Sequence, residues 1–529
     1  MIVNWKGISE RAQDELLQSI PTKWKIDRTQ YAGLTNVSQV PVTCGLLSEK
    51  QIQITELTVT ELAAQIRTRT LKATEVLEAF ATRAVIAHQL VNCLADWFYE
   101  DGLEQAKQLD DLLEAGGSPK GPLHGIPVAL KDTFDLQGRA TTRGFVINKG
   151  KLSGHDSDII QTLRSAGAVF FCRTTMPQTG FILETVSNLW GRTINPFNNK
   201  FGAGGSSGGD AVLVAMKGCP IAPSTDMGGS IRVPAAFNGL YAIRPTSQRI
   251  PKGGWGGSVT GQISVRDSAG PVCHSVDDLK LLTEVIGSHN SQHRYDTNSV
   301  PIPWRQISLP EGKLAVGIMK WDGVVMPHPP ILRAIEETKQ SLLRHGFEDG
   351  GADAALVAAA TGEPLVPAFL DLLKVYSASA RSAPEVLKLN IKMRAYKVAF
   401  AQAWDDTKHQ LTTGRPMDAL ICPVSPSSGI PHDFNVWWGY TCMWNLLDYP
   451  STVLPVPISK TTVEQDPPNI SYTPLSTNPY DKANHEMYDP KLFENLRPCI
   501  QMVARPFDDE ELLEMTAEVD KVLRGCPLP

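Results

Sequence analysis

A serine hydroxyl is a weak nucleophile until a neighbouring base takes its proton. Serines in tight glycine-bounded turns, with a base able to reach them, are therefore the residues of interest. Two such turns lie close together. Phe201 to Asp210 reads FGAGGSSGGD, with Ser206 and Ser207 between two glycine pairs. Ser224 to Arg232 reads STDMGGSIR, with Ser230 behind Gly228 and Gly229. Successive N–H groups in a turn of this second kind form an anion-binding nest, which suits a developing oxyanion. Upstream, Lys131 ends the apolar run Ile126 to Leu130. An apolar neighbourhood disfavours the ammonium form and lowers the lysine pKa, and a neutral lysine is a base.

Other readings of these stretches compete. A phosphate-cradling loop requires a Lys and a Ser or Thr at its end, whereas the first loop ends in Gly209-Asp210, which repels phosphate. Gly204 to Gly208 also matches the G-x-S-x-G elbow, which would make Ser206 the nucleophile with a histidine base. Such a match is cheap in a chain with 42 glycines, and His328, His432 and His485 qualify by position alone. The plain alternative is a flexible connection whose glycines permit positive φ.

Composition narrows the class. A net charge of −6 offers no basic face for nucleic acid. The eleven histidines show no H-E-x-x-H spacing and the nine cysteines no C-x-x-C pair, so neither a zinc site nor a disulfide frame is indicated. No apolar run reaches membrane-spanning length, and Met1 to Glu10 lacks the apolar core of a signal peptide, so a cytoplasmic location is expected.

The elements that must position these residues follow from periodicity. The first hundred residues read as helices: Thr58 to Glu61 is a capping box, and Leu77, Phe80 and Ala84 share one helix face. These helices are expected to form an outer layer. From about residue 120 the pattern is α/β. Ile126–Leu130 and Ala168–Cys172 read as strands, and Asp156–Ser165 as a helix between them. Ala211–Met216 is apolar all round, as in a helix buried within a domain. Later come a strand at Leu314–Met319, a helix at Pro330–Leu343 stopped near Gly346, and a closing helix at Asp508–Leu523. Gly253–Gly270, Ser288–Pro301 and Thr461–Tyr472 read as loops.

At this point the sequence resembles the amidase signature enzymes. Their G-G-S-S-G-G, G-S-D-x-G-G-S-I-R-x-P-A and G-L-x-G-x-K-P-T motifs correspond to Gly204–Gly209, Ser224–Ala235 and Gly239–Thr246. The intervals agree as well: Lys131 lies 75 residues before Ser206, and Ser230 lies 24 after it. Pro122–Pro127, Met176–Gln178 and Gly191–Pro196 are similar to family text, and Ser19–Pro21 with Trp24, Met326–Pro330 and Asn445–Pro450 resemble its fungal acetamidase and general amidase branch. Pro223, Ser224, Ala242, Arg244 and Thr175 depart from the usual text, which bears on pocket shape.

The resemblance implies a single α/β/α domain with a large mixed β-sheet covered by helices. Its parts would be a helical layer over 1–115, a signature core over 116–250, and the remaining sheet, pocket loops and closing helices over 251–529. It implies an amidohydrolase that needs no cofactor or metal and takes a small-molecule amide. Ser230 would be the nucleophile, Ser206 a proton relay held by a cis peptide bond, and neutral Lys131 the base. Met227, Gly228, Gly229 and Ser230 would form the oxyanion hole, and Gly180 with Ser206 would line the substrate site. Asp226 and Arg232 read as a buried pair bracing the nucleophile loop, His124 as structural. The aromatic group Phe434, Trp437, Trp438, Tyr440 and Trp444 reads either as pocket wall or as core. An amidotransferase subunit, an acyltransferase of secondary metabolism, a non-catalytic scaffold and a homodimer remain open.

Overall fold

The computed structural model describes residues 4–256, 263–288, 296, 298–345, 382–434, 437–457, 461–476 and 478–525. The chain builds its centre from two sheets that meet. The smaller contains β1 (Leu94–Trp97), β2 (Pro127–Lys131) and β3 (Val169–Thr174) in the order β1-β3-β2. Strands β2 and β3 run parallel, with Lys131 opposite Thr174. A two-stranded hairpin follows, β4 (Val186–Ser187) with β5 (Gly191–Arg192).

The larger sheet contains β6 (Ala222–Asp226), β7 (Tyr241–Arg244), β8 (Ser268–Cys273), β9 (Val316–Ile318), β10 (Ala419–Pro423), β11 (Ser451–Pro455) and β12 (Cys499–Val503). Their order is β6-β8-β7-β11-β12-β10-β9. A parallel bridge between Val128 and Ile221 joins β2 to the residue just before β6. The two sheets are thereby stitched edge to edge into one mixed surface.

Helices cover both faces of this surface, so strand residues alternate between two apolar cores. Val128, Leu130, Phe170, Ile243 and Met502 enter one core. Ala129, Val169, Phe171, Cys172, Ala222 and Ala242 enter the other, together with the helix Gly208–Ala215. Lys131 has the parity of Ala129, which turns its side chain toward the face on which that helix lies. The period of two thus aims the amine at the glycine-rich loop.

The expected elements of the central region are present with small shifts: β2 and β3, the helix Asp158–Ser165, the shorter β9, the helix Pro329–Arg344 and the closing helix Asp509–Leu523. Gly346, the expected stop of the second of these helices, lies outside the described residues. Three expectations need correction. The N-terminal helices are not only an outer layer: Ala73–Val91 is buried on nearly every side, including Arg83, whose guanidinium donates to Met216 O and Thr55 Oγ1. The same region also contributes β1. Ser224 to Asp226, read as the start of a turn, belong to the strand Ala222–Asp226, and the loop expected over Gly253–Gly270 ends in β8. The Thr58 capping box forms as expected, with Thr58 N donating to Glu61 Oε2 at 2.8 Å.

Candidate active site

The base is set by burial. Lys131 is 0% exposed at the end of β2. Its Nζ lies 2.9 Å from Ser206 Oγ, 2.7 Å from Ser207 Oγ, 2.8 Å from Thr225 Oγ1 and 3.4 Å from Thr225 O. None of these partners is a carboxylate. Burial pulls the amine down to about 8, against the opposing pull of Asp210, Asp226 and Asp267.

The hydroxyl geometry suits a neutral amine. Ser207 Oγ lies 3.4 Å from Thr225 O, so its own hydrogen has an acceptor, and it receives a hydrogen from Lys131. Lys131 Nζ thus faces three hydroxyl oxygens, those of Ser206, Ser207 and Thr225; a neutral amine can give its two hydrogens to two of them and turn its lone pair to the third.

The glycines around Ser206 are there for close approach. The Gly205–Ser206 peptide bond is cis. Gly204 has φ +76°, and a Cβ on it would stand 2.6 Å from Pro234 Cα, the turn of chain just past the second serine loop. After Ser207 the chain enters the helix Gly208–Ala215, which keeps the loop against the end of β2.

Ser230 is 6% exposed and sits between β6 and the helix Arg232–Phe237. Ser207 N donates to Ser230 O at 3.1 Å, tying the two serine loops together. No hydrogen bond joins Ser206 Oγ to Ser230 Oγ among the described residues.

Asp226 organises the nucleophile loop. Its carboxylate accepts from Gly229 N at 2.8 Å, Ile231 N at 3.1 Å and Asn445 Nδ2 at 2.9 Å, and from Arg232 Nε and Nη2 at 3.0 Å each. Arg232 and these donors hold the Asp226 carboxyl well below the usual carboxylate range despite its burial. Arg232 is itself 0% exposed and also donates to Asn445 Oδ1 and Gln501 Oε1. The pair is internally satisfied, as a buried pair must be.

Within the expected oxyanion set, the N–H of Gly229 donates to Asp226 Oδ1 at 2.8 Å. The N–H groups of Met227, Gly228 and Ser230 have no acceptor among the described residues. The loop is pinned from above by the helix Gly439–Leu447, where Thr441 Oγ1 donates to Gly228 O at 2.7 Å.

Gly180 lies in a short turn after β3, with φ +75°, where an added Cβ would meet only Met176 Cε, at 3.0 Å; no contact ties it to Ser206 or Ser230. The aromatic group divides. Tyr440 and Trp444 are core, 1% and 0% exposed. Trp438 is partly exposed, and its ring lies 3.0 Å from where a Gly228 Cβ would be. Trp437 is tied to Asp322 Oδ2 at 2.6 Å. His328 is buried and lowered to about 4 by desolvation, while His124 Nδ1 accepts from Lys120 N in a turn. Neither reaches a serine of the two loops.

Sequence reasoning passed over Ser207, Thr225 and Asp210. Ser207 carries no signal of its own beside Ser206, and the glycine-rich text after Thr225 conceals that it lies in a strand. Asp210 had a signal: a lone acid in the first turn of a helix apolar all round must find a partner inside the protein.

A buried lysine bonded to a serine and a second serine loop tied to the first lie on a mixed sheet between helical layers. The chain belongs to the amidase family, whose family model, described as Amidase, matches residues 75–513. It is 53% identical to Amidase FG08078 of Gibberella zeae, covering 99% of this chain and 100% of that one. It is 36% identical to an acetamidase of Aspergillus oryzae, over 98% and 99% of the two chains. Among solved structures, a fatty acid amide hydrolase superposes with TM-score 0.88 at 28% identity, covering 98% of this chain and 95% of that one. The protein is accordingly an amide-hydrolysing enzyme of the amidase signature type.

No helix among the described residues is long and apolar enough to cross a membrane. Among the same residues no group of three or more His, Cys, Asp or Glu could hold a metal ion.

Proposed function

We propose that the enzyme cleaves a carboxylic amide through an acyl-Ser230 intermediate, using Ser206 as the relay and neutral Lys131 as the base. The observation that carries this reading is the fully buried Lys131 amine, 2.9 Å from Ser206 Oγ and hydrogen-bonded to no acid. In the first half of the cycle Ser230 Oγ attacks the amide carbon. Its proton passes to Ser206 as the Ser206 proton passes to Lys131, so the lysine becomes charged. Negative charge develops on the substrate oxygen, where the N–H groups of Met227, Gly228 and Ser230 are the available donors. A donor of this kind contributes on the order of 3 kcal/mol in serine hydrolases.

The C–N bond then breaks. Lysinium returns its proton through Ser206 to the departing nitrogen, and the acyl group remains on Ser230 as an ester. Water attacks this ester by the same relay in reverse roles, which releases the acid and restores neutral Lys131.

The substrate class is a small aliphatic or aryl amide, a reading supported by the acetamidase and amidase names of the relatives. The whole chain works as one catalytic unit. A reducing, cytoplasmic setting is supported by the eight described cysteines, all of them free. A fluorophosphonate probe should label Ser230 and no other serine, and labelling should be lost in Ser230→Ala. Unlabelled wild-type protein, under conditions where a control serine hydrolase reacts, refutes the reading.

A further inference from the structure

Three buried carboxylates act on Lys131: those of Asp210, Asp226 and Asp267. Two of them have cations of their own. Asp226 is clamped by Arg232 at 3.0 Å through two nitrogens, and Asp267 is bonded to Lys252. Asp210 differs from both.

It is 0% exposed in the first turn of the helix Gly208–Ala215, and its hydrogen-bond donors are neutral hydroxyls. Thr174 Oγ1 donates to Oδ1, and Ser224 Oγ donates to Oδ2 at 2.8 Å. These hydroxyls sit on the strands that flank β2. Thr174 stands opposite Lys131 in β3, and Ser224 precedes Thr225, the Lys131 acceptor, in β6. Carboxylate and amine are therefore fixed to the same two strands, with no hydrogen bond joining them among the described residues.

The other titratable groups facing Asp210 are the thiols of Cys93, Cys172 and Cys219, which burial pushes up and keeps neutral. Burial raises the Asp210 carboxyl to about 6, and among the described residues Lys131 is the charged group that pulls it down. A buried carboxylate without a bonded cation is costly unless a positive charge stands nearby.

We propose that Asp210 is a positioning residue for the base, the fixed counter-ion of the lysinium formed each time Lys131 takes the Ser206 proton. The proposal rests on the relay reading above. Asp210 makes and breaks no bond in the cycle: the proton moves from Ser230 to Ser206 and from Ser206 to Lys131, while the carboxylate keeps its charge. Its role parallels that of the acid that orients and stabilises the base in a serine–histidine–acid triad.

Removing this charge has two consequences of opposite direction. The amine stays neutral to lower pH, and the lysinium that forms in the reaction is less stable. In Asp210→Asn the acid limb of the rate of Ser230 labelling by fluorophosphonate should move down by about 1–3 pH units, the range for loss of a nearby opposite charge. The plateau rate should fall in the same variant, and Asp210→Glu should bring the limb back toward wild type.

If Asp210→Asn does not fold, as judged by circular dichroism, the double variant Thr174→Val with Ser224→Ala carries the test. It keeps the carboxyl but strips both donors, which favours the neutral acid beside the neutral amine. Its limb should move in the same direction by a smaller amount. A folded variant of either kind whose limb stays in place or moves up overturns the proposal. Failure of wild-type Ser230 to label at any pH is a separate result, which sinks the relay reading itself.

Discussion

The pH dependence of Ser230 labelling by the fluorophosphonate probe tests the buried base most directly. Lys131 titrates near about 8, not at the 10.5 of a solvated lysine, because burial penalises its charged form. A base must be neutral to work, so the rate of Ser230 labelling follows the neutral fraction. That fraction is about one part in eleven near pH 7 and about ten parts in eleven near pH 9, a rise of about tenfold followed by a plateau. A lysine with an ordinary pKa would instead give a rate still climbing about tenfold per unit near pH 9.

The same shift has a stability consequence. The folded state releases the Lys131 proton near about 8 and the unfolded chain only near 10.5. Between those values the unfolded state binds more protons, so stability rises with pH across that window, by up to about 3 kcal/mol. Below it both states are charged and the burial penalty is fully present. Stopped-flow or gel-based labelling gives the rate profile, and urea unfolding at stepped pH gives the stability profile. Lys131→Met should abolish the first and flatten the second. A labelling rate that rises without a plateau through pH 10 refutes the lowered amine, and a rate independent of pH refutes the lysine base altogether.

Three further outcomes follow from named contacts. Ser206→Ala should slow labelling and amide turnover by about 10²–10⁴, the usual size of a lost acid–base step, with the melting temperature little changed; a rate near wild type would remove Ser206 from the relay. Arg232→Met leaves the Asp226 carboxylate buried without its guanidinium and should cost about 3–5 kcal/mol in denaturant unfolding, together with loss of labelling because the Gly229 and Ile231 N–H contacts depend on that carboxylate. Gly229→Ala forces a side chain into φ +129° with its Cβ overlapping both Oγ1 and Cβ of Thr441, so kcat should fall while KM changes less; Thr441→Gly in the same chain should recover part of the loss by removing that overlap, and no recovery would place the defect in the backbone alone.

Local rules made much of this enzyme legible in its sequence. Chemical type pointed to Lys131 and to the two glycine-bounded serine loops, because a loop tight enough to bring serines to a base has to be glycine-rich, and the resemblance to the amidase signature enzymes gave Lys131, Ser206 and Ser230 their expected roles. Apolar runs marked β2, β3 and the helix Gly208–Ala215, since continuous burial on both faces demands continuous apolar text. What sequence-local reasoning missed depended on contacts between distant segments. Nothing within a few residues of Gly229 says that Asp226 takes its N–H, because that geometry exists only when Arg232 and Asn445 close around the same carboxylate, 219 residues of chain separating Asp226 from Asn445. The depth of Ala73–Val91 was equally hidden, since a helix is buried all round only when later chain covers its second face. The sequence by itself therefore determined which groups can react. The tertiary structure decided which of them are charged, because ionisation inside a protein is set by solvent exclusion and by charges brought together from different strands.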